Sequence, residues 1–297
     1  MVTYHQQESS KPFIDKISLT FDVAPEDQSQ TKSYLLSRLQ DAGVHQVFAK
    51  GYELSVNVSL AYGVNLFIQV DNNMPDRPYG RVEFNPGKVI ESGTLSVLEG
   101  ELTCLSHDTY EEWMSGHNVS RVDVAIDLKH VNINDVLITA PNFVRSGMWC
   151  AKGGRIETLY LGSDKSPSRL KLYDKRAELM KHGHKAIGHE LTRIEYTLRK
   201  TGLTPAGLLE MPNPFADVTL YSLSACIKLG ELMGDAEWWG LFFDSCAYRG
   251  LHAALLTMPP HKRNKIKEVL KVGKLKCWQP PETWKSWPDT ISPLLNV

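Results

Sequence analysis

RVDVAID (121–127), RIETLYLGS (155–163), SRLKLYDK (168–175) and RIEYTLRK (193–200) are four segments of one stretch, and each alternates in the manner of a β-strand. Successive side chains of a strand point to opposite faces, so residues two apart share one. Arg121, Asp123, Ala125 and Asp127 therefore share a face. So do Arg169, Lys171, Tyr173 and Lys175 on a second segment, and Arg193, Glu195, Thr197 and Arg199 on a third. A face that packs onto a core is apolar; these carry carboxylates, cations and a tyrosine, which suits a surface that handles a phosphodiester.

The same alternation runs through the residues before this stretch. Ile17, Leu19, Phe21 and Val23 alternate with polar residues, as do 52–60 and 64–70, and YGRVEFNP (79–86) reads as a further strand after a loop dense in turn formers. A helix is predicted from about Ser29 to Ala42, stopped by Gly43, with others around 110–114 and over 132–140, the last ended by Pro141. Strand, helix, strand, strand thus occurs twice in the first 200 residues. The expected fold is α+β, an antiparallel or mixed sheet built from two similar halves. Beyond Gly202 the apolar spacing becomes helical, and QPPETWKSWPDT (279–290) is expected to pack over the surface. These shifts predict a flexible leader at 1–12, a catalytic domain at 13–202 and a helical C-terminal region at 203–297, with the boundary near 200–215.

A chain of 297 residues with 42% hydrophobic and 23% charged residues has the composition of a soluble globular protein. Its net charge of -1 excludes a simple polycation, but the charge is uneven. Residues 152–200 hold 12 Lys and Arg against 6 acids, and residues 262–276 hold seven basic residues against Glu268 alone. Lys262, Arg263, Lys265 and Lys267 form a basic helix of the kind that follows a phosphate backbone. A solvated charged face is the alternative reading. Five scattered cysteines without a CxxC point to reduced thiols in the cytoplasm rather than a disulfide framework or a zinc site. The start of the chain has no apolar signal-peptide core, and no window approaches a membrane span. FNPGK (84–88) lacks the glycine spacing and the Lys-Ser/Thr pair of a phosphate loop, which argues against an NTPase.

A tyrosine hydroxyl ionises near pH 10 and becomes a useful nucleophile only where cations stabilise its phenolate. Tyr173 has Lys171 and Lys175 on its own face, with Arg169 and Arg176 close by in sequence; a ring packed in the sheet is the plainer alternative. Asp123, Asp127 and Glu195 form an oxygen-only set suited to Mg2+ or Mn2+. Salt bridges to Arg121 and Arg193 would explain the same carboxylates without a metal. His182, His184 and His189 read as loop residues, with no pair of histidines on a strand to bind a metal.

Taken in order, RVDVAID, TLYLGSDKS, RLKLYDKRAE and RIEYTLR resemble the replication initiation factors of rolling-circle plasmids and filamentous phages, the Rep_trans family. FIDKISLTFDV (13–23) resembles that family's first strand, so the resemblance covers roughly 13–200. It implies an origin-specific single-strand endonuclease and strand-transferase whose tyrosine forms a 5′-phosphotyrosine and frees a 3′ hydroxyl. By that resemblance Tyr173 is the nucleophile and Lys175 holds phosphate. Asp123, Asp127 and Glu195 carry the metal. Arg169, Lys171, Arg193 and Arg199 contact DNA or steady the carboxylates. Tyr160 and Tyr196 are the competing nucleophiles, with Tyr196 third because it points away from Glu195. Pro167 departs from the family pattern and leaves the loop before Tyr173 differently shaped. The implied partners are supercoiled origin DNA exposing a single strand, a host helicase and polymerase, and a second copy of the chain, in a bacterial cytoplasm and without a membrane. The rival readings are a non-enzymatic DNA-binding regulator on the same scaffold and a metal-dependent phosphodiesterase that uses water.

Overall fold

The computed structural model describes residues 11–74, 76–143, 145–185 and 187–296. Of the expected leader at 1–12, only Lys11 and Pro12 fall among them. Contacts divide the chain into two units, neither continuous in sequence. A leading unit comprises 12–125, 197–212 and 286–296, and a tyrosine unit comprises Ile126–Tyr196 and Asn213–Lys285. This differs from a single cut near 200–215. The expected helical region is shared out, its middle going to the tyrosine unit and its two ends to the leading unit.

In the leading unit the alternating segments form β1 (Phe13–Phe21), β3 (Tyr52–Ala61), β4 (Val64–Asn72) and β5 (Gly80–Phe84), with a short β2 (Val44–Gln46). The order is β2-β3-β4-β5-β1, and the first part of β6 (Asn118–Lys129) runs antiparallel beside β1. One side of these strands supplies the core through Ile17, Leu19, Phe21, Val56, Leu66 and Val82. Gly80 makes room for the Phe21 ring, since a Cβ there would lie 2.2 Å from it. The helix expected from Ser29 forms over Gln28–Arg38. Region 94–117 holds two helices, Leu95–Ser106 and Tyr110–Gly116, which bring Leu98, Leu102 and Trp113 into the core. The second opens with a capping box between Thr109 and Glu112. The C-terminal tail packs on the protein with Trp287 buried and its other side exposed. It forms helices Pro280–Trp284 and Trp287–Leu295, each with proline in its first turn. Trp287, Ile291 and Leu294 fall on one apolar stripe and are buried, and the Trp287 indole donates to the Leu208 carbonyl at 2.7 Å.

In the tyrosine unit the order from β6 is β6-β11-β10-β9-β8, with β8 (Ser146–Cys150), β9 (Ile156–Leu161), β10 (Ser168–Asp174) and β11 (Leu191–Arg199). The helix expected over 132–140 is absent. A 3-10 turn, Ile133–Asp135, leads into β7 (Val136–Thr139), which pairs antiparallel with β12 (Thr219–Ser222). Val136, Ile138 and Thr139 are β-branched, and β12 supplies a ladder partner some eighty residues away that local periodicity could not reveal. Helices Leu223–Leu232, Ala236–Arg249, Leu251–Leu256 and Pro260–Val272 enclose a core of Cys226, Trp239, Phe242, Phe243, Cys246 and Ile266.

Both halves of the chain repeat one strand order, in which the first strand lies beside the last: β1 beside β5, and β6 beside β11. The two-halves expectation is met in the strands. Among the described residues, an α-helix follows the first strand in the leading half, and a 3-10 turn follows it in the other.

Candidate active face

The register of β10 on β9 sets Lys171 opposite Tyr160 and Tyr173 opposite Thr158, so Tyr160, Arg169, Lys171 and Tyr173 share one face. Leu170 and Leu172 point the other way and are buried. Arg169 lays its guanidinium 3.8 Å from the centre of the Tyr160 ring and pairs with Asp164 at 2.5 Å, which pins the turn between the two strands. The Lys171 ammonium lies 3.8 Å from the centre of the Tyr173 ring and 3.7 Å from Glu195. Lys175 reaches 5.8 Å from the same ring and also pairs with Glu178.

Sequence ends the strand at this point by a simple device. Asp174 accepts the backbone N–H of Ala177 at 2.9 Å and so caps the helix Lys175–Lys181, which places Lys175 immediately beyond Tyr173. Tyr173 is only 4% exposed, its ring lying under the ammonium of Lys171. Tyr160 is half-buried. Tyr196 occupies the opposite face, its ring 5.7 Å from Phe143 and 5.8 Å from Phe215. Burial raises its hydroxyl above the usual tyrosine range, and a bond to Ser168 offsets this only in part. That is the environment of a core residue.

The three expected metal carboxylates are engaged with cations. Asp123 belongs to the leading unit, is buried, and accepts two hydrogen bonds from Arg121 at 2.8 and 2.6 Å. Asp127, in the tyrosine unit, accepts two from Arg193 at 2.6 and 2.9 Å. Glu195 is buried beside Lys171. Among the described residues, no three His, Cys, Asp or Glu side chains are grouped so as to hold a metal ion. As placed, these donors do not fit a preformed Mg2+ or Mn2+ site, because a cation would first have to displace the guanidinium groups. The salt-bridge alternative accounts for the pairing of Asp123 and Asp127.

No family model matches the chain. A stretch of 126 residues, 42% of this chain, is 25% identical to a replication initiation protein of Staphylococcus aureus. This chain is similar to a replication initiator. The match spans 37% of that protein's length, little more than a third. Among solved structures, a rolling circle replication initiator protein from Geobacillus stearothermophilus is 19% identical and superposes with a TM-score of 0.39, covering 64% of this chain and 74% of that one.

The basic helix Pro260–Val272 divides its cations. Ile266, Val269 and Leu270 anchor it in the core. Arg263 donates to the carbonyls of Met258 and Leu256 at 2.6 and 3.1 Å, closing the end of the preceding helix. Lys262 lies 4.0 Å from the centre of the Trp238 ring. Lys265, Lys267 and Lys271 are exposed. Arg199 is half-buried at the end of β11. No described helix is long and apolar enough to cross a membrane.

Sequence reading passed over Trp149. It stands opposite Thr158, which in turn stands opposite Tyr173, so one cross-strand row links the three. Trp149 is 69% exposed. SGMWC is too short and mixed for its alternation to have marked it. His130 and His189, whose rings lie 4.7 Å apart, were missed as a pair because 59 positions separate them.

Proposed function

We propose that this protein is a rolling-circle replication initiator that nicks one strand of origin DNA through Tyr173. The observation that carries the reading is a tyrosine flanked by two ammonium groups, at 3.8 and 5.8 Å from its ring, on a strand face otherwise given to charged side chains. Cations so placed balance charge on a phosphoryl group brought to the tyrosine. In the proposed step the Tyr173 oxygen attacks phosphorus and gives up its proton, and the bond from phosphorus to the 3′ oxygen breaks. That oxygen takes up a proton, leaving a 3′ hydroxyl on one end and a 5′-phosphotyrosine on the other. Attack by a 3′ hydroxyl on the phosphotyrosine reverses the exchange and rejoins the strand, so no nucleotide hydrolysis is needed. Lys171 and Lys175 hold the non-bridging oxygens, and Trp149 offers its ring to a base beside the scissile phosphate. The partners this reading requires are the origin, a polymerase to extend the 3′ hydroxyl and a helicase to open the duplex; a second copy of the chain would supply a second nucleophile for closure.

The burial of the Tyr173 ring and the paired carboxylates favour a second reading, a DNA-binding regulator on the same scaffold. Incubation with supercoiled DNA carrying the cognate origin, with and without Mg2+ or Mn2+, separates the two. Nicked circles with protein attached at the 5′ end are expected, with the phosphopeptide containing Tyr173. Tyr173→Phe should abolish both, while Tyr160→Phe keeps them. Tight origin binding without nicking in any of these conditions would decide for the regulator.

A further inference from the structure

The duplicated strand order carries a short sequence repeat that alternation alone did not expose. Arg81-Val82-Glu83-Phe84 ends the leading half on β5, and Arg193-Ile194-Glu195-Tyr196 lies on β11, the corresponding last strand. The neighbouring strands correspond as well. Phe67 of β4 stands opposite Glu83 and Gln69 opposite Arg81. In the tyrosine unit it is Lys171 that reaches Glu195, with Tyr173 two residues further along β10. Where one half has lysine and tyrosine, the other therefore has phenylalanine and glutamine. The leading half keeps the Arg-x-Glu element, and neither Phe67 nor Gln69 opposite it is a nucleophile.

A groove of about 310 Å3 opens on this face of the leading unit, at the lower end of the size range of ligand sites. Phe67 lines it with a half-buried ring, and Asn57 and Asn65 line it with amides 3.5 Å apart. Lys16 and the exposed Lys88 stand at its wall. Burial pushes the Glu83 carboxyl up, but the hydrogen bond and charge of Lys16, with Arg81 and Ser18, outweigh it and hold the group below the usual carboxylate range. Lys16 is thus tied to Glu83 at 2.7 Å, and Asp15 adds a second carboxylate to the lining, so the groove as a whole is not a phosphate trap. It offers an aromatic face and paired amides, each with donors and an acceptor, the chemistry that receives unstacked bases.

We propose that this groove is a second DNA site, the non-cleaving counterpart of the tyrosine face, which takes unpaired bases of single-stranded DNA. It rests on the initiator reading for its choice of ligand. The strand would stack a base on Phe67, present base edges to Asn57 and Asn65, and pass its backbone along Lys88.

Binding of fluorescein-labelled dT15 and dA15 to Tyr173→Phe protein, followed by anisotropy at fixed salt, tests the site apart from cleavage. Phe67→Ala and the double variant Asn57→Ala/Asn65→Ala should each weaken binding on the order of ten-fold at an unchanged melting temperature. Strands carrying 5-iodouracil should crosslink on irradiation to a peptide of β4 that contains Phe67. Parental affinity in both folded variants, or crosslinks confined to residues 126–196 and 213–285, would overturn the proposal. Nicking by the otherwise wild-type protein is scored separately. Groove variants that lose binding in a protein that forms no covalent adduct would keep this site and discard the nicking reading. An adduct-forming protein with indifferent groove variants would do the reverse.

Discussion

Asp127 and Arg193 set the terms for any divalent ion at the tyrosine face. Both carboxylate oxygens of Asp127 accept from the guanidinium, and Arg193 is buried, so the pair is shielded from the screening that weakens surface ion pairs. A metal ion would have to supply more than this bidentate pair does. Removing the guanidinium should therefore free the carboxylate: Arg193→Gln is expected to tighten Mn2+ binding several-fold, read as loss of the free-Mn2+ EPR signal, at a cost of about 3 kcal/mol in stability. Equal Mn2+ affinity in wild type and variant would show that the pair does not close the site. Alternation correctly assigned Lys171 and Tyr173 to one face and Tyr196 to the other. It offered salt bridges to Arg121 and Arg193 beside a metal for Asp123 and Asp127 but could not choose between them, because that choice depends on χ angles and cross-strand neighbours rather than on period.

The helix Pro260–Val272 shows the same limit one scale up. Its run of lysines and arginine was legible as a basic element, and Ile266, Val269 and Leu270 at helical spacing made its buried stripe legible too. What composition could not give is the fate of each cation: Arg263 caps the turn before the helix and Lys262 covers Trp238, whereas Lys265, Lys267 and Lys271 face solvent. Neutralising the exposed three to glutamine should lower the slope of log K against log salt by about one for each phosphate no longer neutralised, with folding intact. Arg263→Gln should instead lower the melting temperature and leave the slope alone, since its donors are spent on carbonyls. A slope unchanged in the triple variant would reduce this helix to a solvated face. Sequence alternation also missed β7. A four-residue strand whose partner lies far along the chain leaves no local periodic signal, whereas the nine-residue β11 and seven-residue β10 do.

Across the whole molecule, the duplication was legible as a strand, helix, strand, strand order occurring twice, of which the strands recur and the second helix does not, but the division into units was not legible. β6 and β11 each contribute residues to both units, so no composition shift or linker marks a boundary. The helical core of the tyrosine unit gives that unit its own reporter. Burial pushes the Cys226 thiol up to about 12, with Asp135 adding to the effect, and burial does the same to Cys246, with Cys226 adding to it. In the unfolded chain these thiols ionise near pH 8.5. Below that value both states hold the proton and the contribution to stability is complete. Above it the unfolded state alone loses protons, so stability falls by up to about 1.4 kcal/mol per pH unit for each thiol until the folded value is reached. Urea unfolding followed between pH 8 and 11 should therefore show a midpoint that declines with pH, and the decline should be shallower in Cys226→Ala/Cys246→Ala. Exposed Cys104 and Cys150 should react with iodoacetamide in the native protein, and Cys226 and Cys246 only as the tyrosine unit unfolds. Equal pH slopes in parent and double variant would mean that these two thiols do not stay protonated in the folded core, and that water reaches the packing of Trp239, Phe242 and Phe243 around them.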